Sequence, residues 1–342
     1  MSTFSPTVIH SEKEYTGETD RKSVRQAISD ALWEEMERDE NVFIMGEEVG
    51  VWGGTYAVTR GFYDHFGERR VRDTPISEMV IVGAAVGAAM NGLRPIAEIM
   101  TINFAFVAFD AIVNHAAKVR YMFGGQFTVP LVIRTTTGGG RQLGATHSHS
   151  PEALFAHFPG LYVVTPSTPF DAKGLLLSAI RDDNPVLFVE HSTLYQNRGL
   201  VPTVDYVVPL GKADIKREGS DVTIVTYAKM VEIALDAAER LQDEEGISAE
   251  VIDLRSLRPL DLDPVLESFK KTNRCVVVEE GHPFASVSGE IAARIQDEAF
   301  DWMDAPVKRV NQEDVPLPYS RELEQSALPN ADKVIAAVKE IM

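Results

Sequence analysis

The chain has 342 residues with a net charge of −18, 44% apolar residues and a single cysteine. This length predicts two domains of ordinary size, and the negative charge argues against nucleic acid as a partner. One cysteine excludes an internal disulfide framework and is typical of a reducing compartment, so we expect a cytoplasmic protein. No apolar run reaches the roughly 18 residues of a membrane span, and residues 1–20 lack the pattern of a signal peptide.

The first half of the chain alternates between strands and helices. We expect residues 1–22 to form a loose N-terminal arm, after which a capping-box pattern at Ser23 begins a helix whose apolar period continues to Met36. Strands follow at 41–45, 95–100, 129–134, 161–164 and 186–190, with helices at 80–90, 105–121 and 169–181. Continuous apolar strands of this kind are typical of a parallel sheet that is covered on both faces.

The alternation restarts after a linker of mixed polarity at 191–209, and we place a domain boundary near Asp205. Strands are predicted at 221–226, 249–254, 274–278 and 307–310, with helices at 230–241, 264–269, 287–300 and 331–341. The predicted fold class is therefore α/β, with two parallel-sheet, three-layer domains at 23–205 and 206–342. The second domain has a net charge of −11, against −7 for residues 1–205, which fits either simple solubility or a docking face for a basic partner.

One carboxyl group precedes an unusually apolar segment. Asp73-Thr-Pro-Ile-Ser-Glu78-Met is followed directly by Val80–Met90, which contains apolar and small residues almost throughout. A helix that is apolar on every side is buried, and Gly83 and Gly87 would allow another backbone to approach closely. Glu78 is then a carboxyl group at the start of a buried helix and needs a partner there. The alternative is a carboxylate that the positive end of the helix dipole stabilises.

Four motifs stand in fixed order: Gly46-Glu-Glu-Val49, Thr74-Pro-Ile-Ser-Glu-Met79, Thr101-Ile-Asn-Phe104 and Gly144-Ala-Thr-His-Ser-His149. Together they resemble the β subunit of the thiamine-dependent decarboxylase component of 2-oxoacid dehydrogenase complexes, and the pyruvate dehydrogenase branch most closely. The resemblance extends from about Ser23 to the C-terminus. It implies a thiamine-enzyme pyrimidine-binding domain followed by a transketolase C-terminal-like domain.

The resemblance also implies an activity. The chain would act in the oxidative decarboxylation of pyruvate on thiamine diphosphate and in the reductive acetylation of lipoyl groups on an acyltransferase core. A branched-chain 2-oxoacid or acetoin dehydrogenase β subunit is the alternative with the same mechanism. A non-catalytic scaffold subunit is the alternative from another class.

Site residues follow from the same resemblance. Glu78 would hydrogen-bond the pyrimidine ring nitrogen of the cofactor and promote its imino tautomer, with Glu47 near the pocket in a proton relay. Met100 and Phe104 would pack against the pyrimidine ring, although both also fit an ordinary core. His147 would be a general acid or hydrogen-bond donor to the substrate.

The histidine loop leaves other interpretations open. A lone loop histidine is more often a surface residue than a catalyst. His149 stands where the family usually has glutamine, which puts the hydrogen bonding of this loop in doubt. A zinc site at His147-x-His149 is disfavoured because no third ligand is nearby in the sequence.

The phosphate-binding motifs are absent. The chain has no G-x-x-x-x-G-K-[ST] loop, and the run Gly138-Gly-Gly140 lacks the third glycine of a dinucleotide fingerprint. It also lacks the Gly-Asp-Gly motif with paired Asn that anchors Mg²⁺ and diphosphate in thiamine enzymes. The resemblance therefore implies an α subunit that supplies these ligands, in a heterotetramer of two α and two β chains.

A structural potassium ion is also implied by the resemblance. Its expected ligands are Leu131, Ala179, Ile180, Asp182 and Asn184. Free carbonyl groups at the end of a helix are natural ligands for a hard cation. A bare helix C-terminus is the alternative.

Overall fold

Strands and helices alternate along most of the chain in a computed structural model that describes residues 6–342. The strands up to Val207 are β1 Thr7–Val8, β2 Thr19–Ser23, β3 Val42–Gly46, β4 Val71–Asp73, β5 Arg94–Ile99, β6 Val132–Thr137, β7 Tyr162–Val164, β8 Val186–His191, β9 Arg198–Pro202 and β10 Tyr206–Val207. The α-helices of this region are α1 Val24–Arg38, α2 Phe62–Phe66, α3 Glu78–Met90, α4 Val119–Met122, α5 Glu152–Ala156 and α6 Pro169–Arg181.

A parallel sheet organises this region, with neighbouring strands in the order β7, β8, β6, β5, β3, β4. Ile96 pairs with Val132, and both belong to a core that includes Leu32 of α1 and residues of α6. Their neighbours Ala97 and Ile133 point to the opposite face of the sheet and are fully buried as well. Both faces are therefore covered, and the predicted three-layer arrangement is confirmed.

The rest of the chain repeats this architecture on a smaller scale. Its strands are β11 Asp214–Arg217, β12 Val222–Thr226, β13 Ala249–Asp253, β14 Ser256–Arg258, β15 Cys275–Val278 and β16 Lys308–Val310. Its helices are α7 Met230–Glu245, α8 Asp263–Thr272, α9 Val287–Ala299, α10 Arg321–Ala327 and α11 Ala331–Lys339. The strands β13, β12, β15 and β16 are parallel neighbours, as predicted, while β11 is an unpredicted antiparallel edge strand.

The chain divides into two compact units that do not follow its linear order. The first contains the described residues up to Thr137 together with Leu154–Leu210, and the second contains Gly138–Ala153 and Gly211–Met342. The loop Gly138–Ala153 therefore belongs with the C-terminal unit although it follows β6. None of the helices within residues 6–342 has the length and apolar character that crossing a membrane requires.

The N-terminal arm is held by strand pairing. β1 pairs with β10 and β2 pairs with β9, so the expected loose arm is wrong for these segments. Main-chain hydrogen bonds hold the arm, and its polar composition gives no sign of them. At the end of β2, Ser23 Oγ accepts the Gln26 N–H at 3.2 Å and the Gln26 side chain accepts the Ser23 N–H at 2.9 Å, which confirms the predicted capping box. Residues 1–5 of the predicted arm lie outside the described residues.

Helix α3 is apolar on every side but is buried on only one. Val82 is fully buried, whereas 60% of Val80 and 41% of Met79 are exposed. Gly83 and Gly87 continue the exposed face, and within residues 6–342 no atom outside this helix lies within 4 Å of a Cβ built at either glycine. The expectation of burial on all sides is therefore wrong for the chain by itself, because the described residues supply no neighbour for this face.

The continuous helix expected over residues 105–121 is also wrong. The segment forms a 3₁₀ turn at Ile102–Phe106, a π-helix at Ala111–Ala116 and the short helix α4. The Ala117 N–H donates to the Ile112 carbonyl, five residues back, at 3.0 Å. A π turn takes up an extra residue and rotates the side chains out of the 3.6-residue period, which an apolar pattern does not reveal.

Candidate functional site

The predicted site residues of the first unit follow the carboxyl ends of neighbouring parallel strands. Glu47 comes directly after β3, Met100 directly after β5, and Glu78 shortly after β4. These strands are adjacent in the order β4, β3, β5. Ligands of open parallel sheets bind outside the carboxyl ends of the strands. The structure thus places all three residues at the edge where a ligand is expected.

Glu78 is the first residue of α3, and only 6% of it is exposed. The N-cap residue Ser77 makes no side-chain capping hydrogen bond. A carboxylate in the first turn is stabilised by the positive end of the helix dipole. A hydrogen bond from this carboxyl group to a ligand would be strong because little water reaches the position.

Glu47 is half-buried and lies close to other carboxyl groups. Burial raises the pKa of Glu47, and the negative charges of Glu78, Glu48 and Glu98 raise it further. Glu78 is the strongest of these three charged neighbours, which shows that Glu47 and Glu78 lie near each other. The edge of the sheet therefore carries a carboxyl group that stays protonated at a higher pH than an exposed glutamate does.

A buried ion cluster, absent from the sequence predictions, joins β5, β6 and β8. The Arg134 guanidinium donates from Nη1 to Glu98 at 2.7 Å and from Nε and Nη2 to Glu190 at 2.7 and 2.8 Å. The Tyr195 hydroxyl also donates to Glu190, at 2.6 Å. Burial lowers the pKa of Arg134, but the charges of Glu190 and Glu98 raise it by more, so the net effect is a raised pKa.

This cluster extends the acidic environment beneath the edge. Burial raises the pKa of Glu98, Arg134 opposes the rise, and Glu190 adds to it. Glu98 is in turn one of the charges that raise the pKa of Glu47. A signal was present in the sequence: Glu98 and Arg134 interrupt two apolar strand patterns, and they are direct partners across the sheet.

Met100 and Phe104 lie half-buried near the same edge. The Met100 carbonyl accepts the Thr136 hydroxyl at 2.8 Å, which ties the end of β5 to β6. Phe104 lies in the 3₁₀ turn Ile102–Phe106. A thioether and an aromatic ring are suited to packing against a flat heterocycle, and both side chains are partly accessible.

His147 lies on the loop Gly138–Ala153, which belongs to the second unit and not to the unit of Glu78. It is exposed, and its Nδ1 lies 2.9 Å from the Thr146 hydroxyl. His149 is half-buried, and burial followed by the charge of His282 lowers its pKa. An exposed imidazole of this kind can donate a proton or a hydrogen bond to a substrate. Within residues 6–342, no three His, Cys, Asp or Glu side chains form a group that could hold a metal ion.

The five expected potassium ligands lie around the turn that follows α6. The Val186 N–H donates to the Leu131 carbonyl at 2.8 Å, which holds the start of β6 beside this turn. The Asn184 N–H and side-chain amide both donate to the Asp182 carboxylate at 2.7 Å. Ala179 is in the last turn of α6, where carbonyl groups generally lack partners within the helix.

A cationic side chain already contacts two of these carbonyl groups. The Arg94 guanidinium donates to the carbonyls of Ile180 and Asp182 at 2.9 and 2.7 Å. Each carbonyl oxygen has two lone pairs, so it can accept from Arg94 and still bind an ion. Two of the five expected ligands thus already accept hydrogen bonds from a cation, and a potassium ion would have to share them with this guanidinium.

Comparison with known families divides the chain at the same linker. Residues 20–198 match the family described as "Transketolase, pyrimidine binding domain". Residues 211–334 match the family described as "Transketolase, C-terminal domain". The two matches stand in the order that the motifs predict.

The chain is also similar to curated proteins over nearly its full length. The pyruvate dehydrogenase E1 component subunit beta of Rickettsia felis is 53% identical over 93% of this chain and 98% of that protein. The 2-oxoisovalerate dehydrogenase subunit beta of Bacillus subtilis is 48% identical over 92% of this chain and 97% of that protein. Among solved structures, a split-gene transketolase described as an inactive beta4 tetramer has a TM-score of 0.76 and 26% identity, and the match covers 93% of this chain and 97% of that one.

Proposed function

Because this chain belongs to the family of pyruvate dehydrogenase E1 β subunits, we propose that it decarboxylates pyruvate on thiamine diphosphate together with an α subunit. The same pair then transfers the acetyl group reductively to lipoyl groups. The observation that best supports this function is the buried carboxyl group of Glu78, close to Glu47 at the carboxyl edge of the sheet.

Glu78 has the central role in the proposed mechanism. When bound, thiamine diphosphate supplies a thiazolium carbon that becomes nucleophilic once it loses its proton. Glu78 would hold the pyrimidine ring of the bound cofactor by a proton shared with its ring nitrogen, and this contact would favour the imino tautomer. The position is nearly closed to water, so this hydrogen bond is worth more than it would be at the surface. Glu47, whose pKa is raised by burial and by the charge of Glu78, would take part in a proton relay beside it.

The chain supplies one half of the cofactor site. Met100 and Phe104 would pack against the aminopyrimidine ring, since both are partly accessible near the edge that contains Glu47 and Glu78. The sequence contains no Gly-Asp-Gly motif with paired Asn, so we assign Mg²⁺ and the diphosphate to the α subunit. For the compartment we propose the reducing cytoplasm, because the single thiol, Cys275, is buried and has no partner thiol in the chain.

The proposed assembly is a heterotetramer of two α and two β chains. Its support is the exposed face of α3, formed by Met79, Val80, Gly83, Ala84 and Gly87. A contiguous apolar face of this kind marks a protein–protein contact more often than a solvated surface. The two glycines allow the backbone of a partner helix to approach closely.

A potassium ion is proposed at the turn that follows α6. The ligands are Leu131, Ala179, Ile180, Asp182 and Asn184. The support is the set of neutral oxygens that the turn places beside the start of β6. In this position the ion would hold the C-terminus of α6 against the sheet.

The second unit is proposed to dock the acyltransferase core. Exposed acids concentrate on α9 and the segment that follows it, including Asp297, Glu298, Asp301 and Asp304. Within this acidic stretch, 49% of Trp302 is exposed. Exposed charges steer a basic partner into contact, and an aromatic side chain then anchors it.

A branched-chain 2-oxoacid is the second candidate substrate. The support for it is the 48% identity to a 2-oxoisovalerate dehydrogenase subunit beta, close to the value for the pyruvate dehydrogenase relative. Acetoin is a third candidate that shares the mechanism. A scaffold role without catalysis is the remaining alternative.

The test is a substrate panel on the co-expressed α–β pair with an artificial electron acceptor. We expect pyruvate to have the highest kcat/KM, with turnover that requires thiamine diphosphate and Mg²⁺. A higher kcat/KM for 2-oxoisovalerate or acetoin would instead assign the chain to a branched-chain 2-oxoacid dehydrogenase or an acetoin dehydrogenase. A correctly assembled pair that turns over none of the three would favour the scaffold role.

A further inference from the structure

The loop that bears His147 is anchored by a buried carboxylate from a distant part of the chain. Glu324 of α10 is fully buried, and its Oε1 accepts the N–H groups of Gly140 and Gln142 at 3.0 and 3.1 Å. Its Oε2 accepts the Gln142 side-chain amide at 2.7 Å. All of these donors belong to the same short stretch of the loop.

A second carboxylate closes the base of the loop. The Oε1 of Glu280 accepts the Gly139 N–H at 2.6 Å and the Ser150 hydroxyl at 3.1 Å, so one oxygen joins the two ends. The Gly138 N–H also donates to the His149 carbonyl at 3.1 Å. His147 therefore lies between two segments that are both fixed to the second unit.

The backbone of the loop is shaped for these anchors. Gly138, Gly140, Gln142 and Gly144 all have positive φ, and Gln142 adopts this conformation without being glycine. Such backbone turns point main-chain N–H groups into a concavity that binds an anion. At Gly144 a Cβ would overlap the Tyr319 ring, so the loop also packs tightly on the segment before α10.

The energetics make the loop and Glu324 depend on each other. A buried carboxylate is costly unless charged or hydrogen-bonding partners compensate it. For Glu324, within the described residues, hydrogen bonds from Gly140 and Gln142 provide this compensation. If the loop moved away, the charge would remain buried without donors, which favours one loop conformation strongly.

We propose that Glu324 and Glu280 are positioning residues for His147, which fix the loop backbone so that the imidazole meets the substrate in one place. This inference rests on the proposed role of His147 as general acid or hydrogen-bond donor. The hydrogen bonds described above join these two carboxylates to the loop backbone, the Gln142 side-chain amide and the Ser150 hydroxyl. Their effect on turnover would therefore act through the loop.

The experiment uses the reconstituted α–β pair with Glu324→Gln and the matched control Glu322→Gln, an exposed residue of the same helix. In Glu324→Gln we expect faster amide hydrogen exchange in residues 139–149, by about tenfold or more, because a charged acceptor is lost. Pyruvate turnover should fall by up to about 100-fold, the scale of a 1 Å misplacement in an active site. The control should change neither quantity.

A double-mutant cycle separates positioning from general damage. When His147→Ala is already present, adding Glu324→Gln should lower turnover no further, because the group that was positioned is gone. Two results would overturn the positioning role. One is that Glu324→Gln lowers turnover as much in the His147→Ala background as in the wild type. The other is that Glu324→Gln speeds exchange in the loop but leaves turnover unchanged. If Glu324→Gln does not fold, Ser150→Ala removes one hydrogen bond to Glu280 and should show the same non-additivity with a smaller loss.

The same experiment also tests the role of His147 in the proposed function. Full turnover in His147→Ala would overturn the role of His147, and the positioning role with it. The substrate panel would still decide the overall activity. By contrast, additive losses would overturn only the positioning role and leave His147 as a catalytic residue.

Discussion

Replacing Glu78 with glutamine tests the central step of the proposed mechanism. The substitution keeps the size of the side chain and one carbonyl oxygen but removes the group that shares a proton with the pyrimidine ring. Only 6% of Glu78 is exposed, so little water reaches the position to make up for the lost hydrogen bond. The loss of one positioned group in a water-excluded site costs about 2.7–4 kcal/mol of barrier. The expected slowing is therefore about 100- to 1,000-fold.

The assay is the exchange of the thiazolium proton for deuterium in the reconstituted α–β pair, followed by rapid quenching and NMR. Glu68→Gln is the matched control, because Glu68 is an exposed acid of the same unit that takes part in none of the contacts described above. The proposed heterotetramer should remain intact in both variants, since neither change alters the apolar face of α3. Exchange at a near-normal rate in Glu78→Gln, with normal assembly, would refute the assigned role.

Four further predictions follow from the same structure. The raised pKa of Glu47 means that its contribution to stability is present below the ordinary value of 4.5 and is lost as the pH rises through the folded-state pKa. Glu47→Gln should therefore melt at a higher temperature than the wild type at pH 7, and this difference should shrink on acidification; a difference that does not depend on pH would contradict the assignment. Burial raises the pKa of the Cys275 thiol, so alkylation by iodoacetamide at pH 8 should be slow in the native protein and fast in urea, as mass spectrometry can show. Higher ionic strength should slow association with the acyltransferase core. Charge reversal of Glu298 and Asp301 should also slow this association, while decarboxylation with an artificial acceptor stays normal. Docking that does not respond to salt would show that these acids serve solubility. Exchanging potassium for choline should lower the melting temperature of the α–β pair, because a bound ion stabilises the folded protein; equal melting temperatures in both salts would argue against the ion.

Much of the fold could be predicted because local patterns determine it. The apolar runs that form β3, β5 and β6 stand between helical segments, and helix α6 begins and ends at the residues that its pattern indicates. The capping box at Ser23 is likewise a short-range arrangement of two side chains. Parallel pairing followed from the alternation itself, without knowledge of any contact.

Other features depend on contacts that no local pattern records. The exposure of Val80 depends on what covers α3, and a pattern that is apolar on every side cannot say which side has a neighbour. The contact of Arg94 with the turn after α6 joins residues 86 positions apart. At the candidate site, motifs indicated Glu47 and Glu78, but the Arg134 cluster with Glu98 and Glu190 required the register of three strands.

The anchoring of the histidine loop has a consequence for the order of events during synthesis. The loop is complete once residue 153 has been added, but Glu324 lies 182 residues after Gln142. At roughly 5–20 residues per second, the ribosome needs about 9–34 s after residue 153 to supply it. The loop can therefore be anchored only after a helix near the end of the chain has been made. A hybrid that joins the first half of one relative to the second half of another can anchor the loop only if its second half contains this carboxylate.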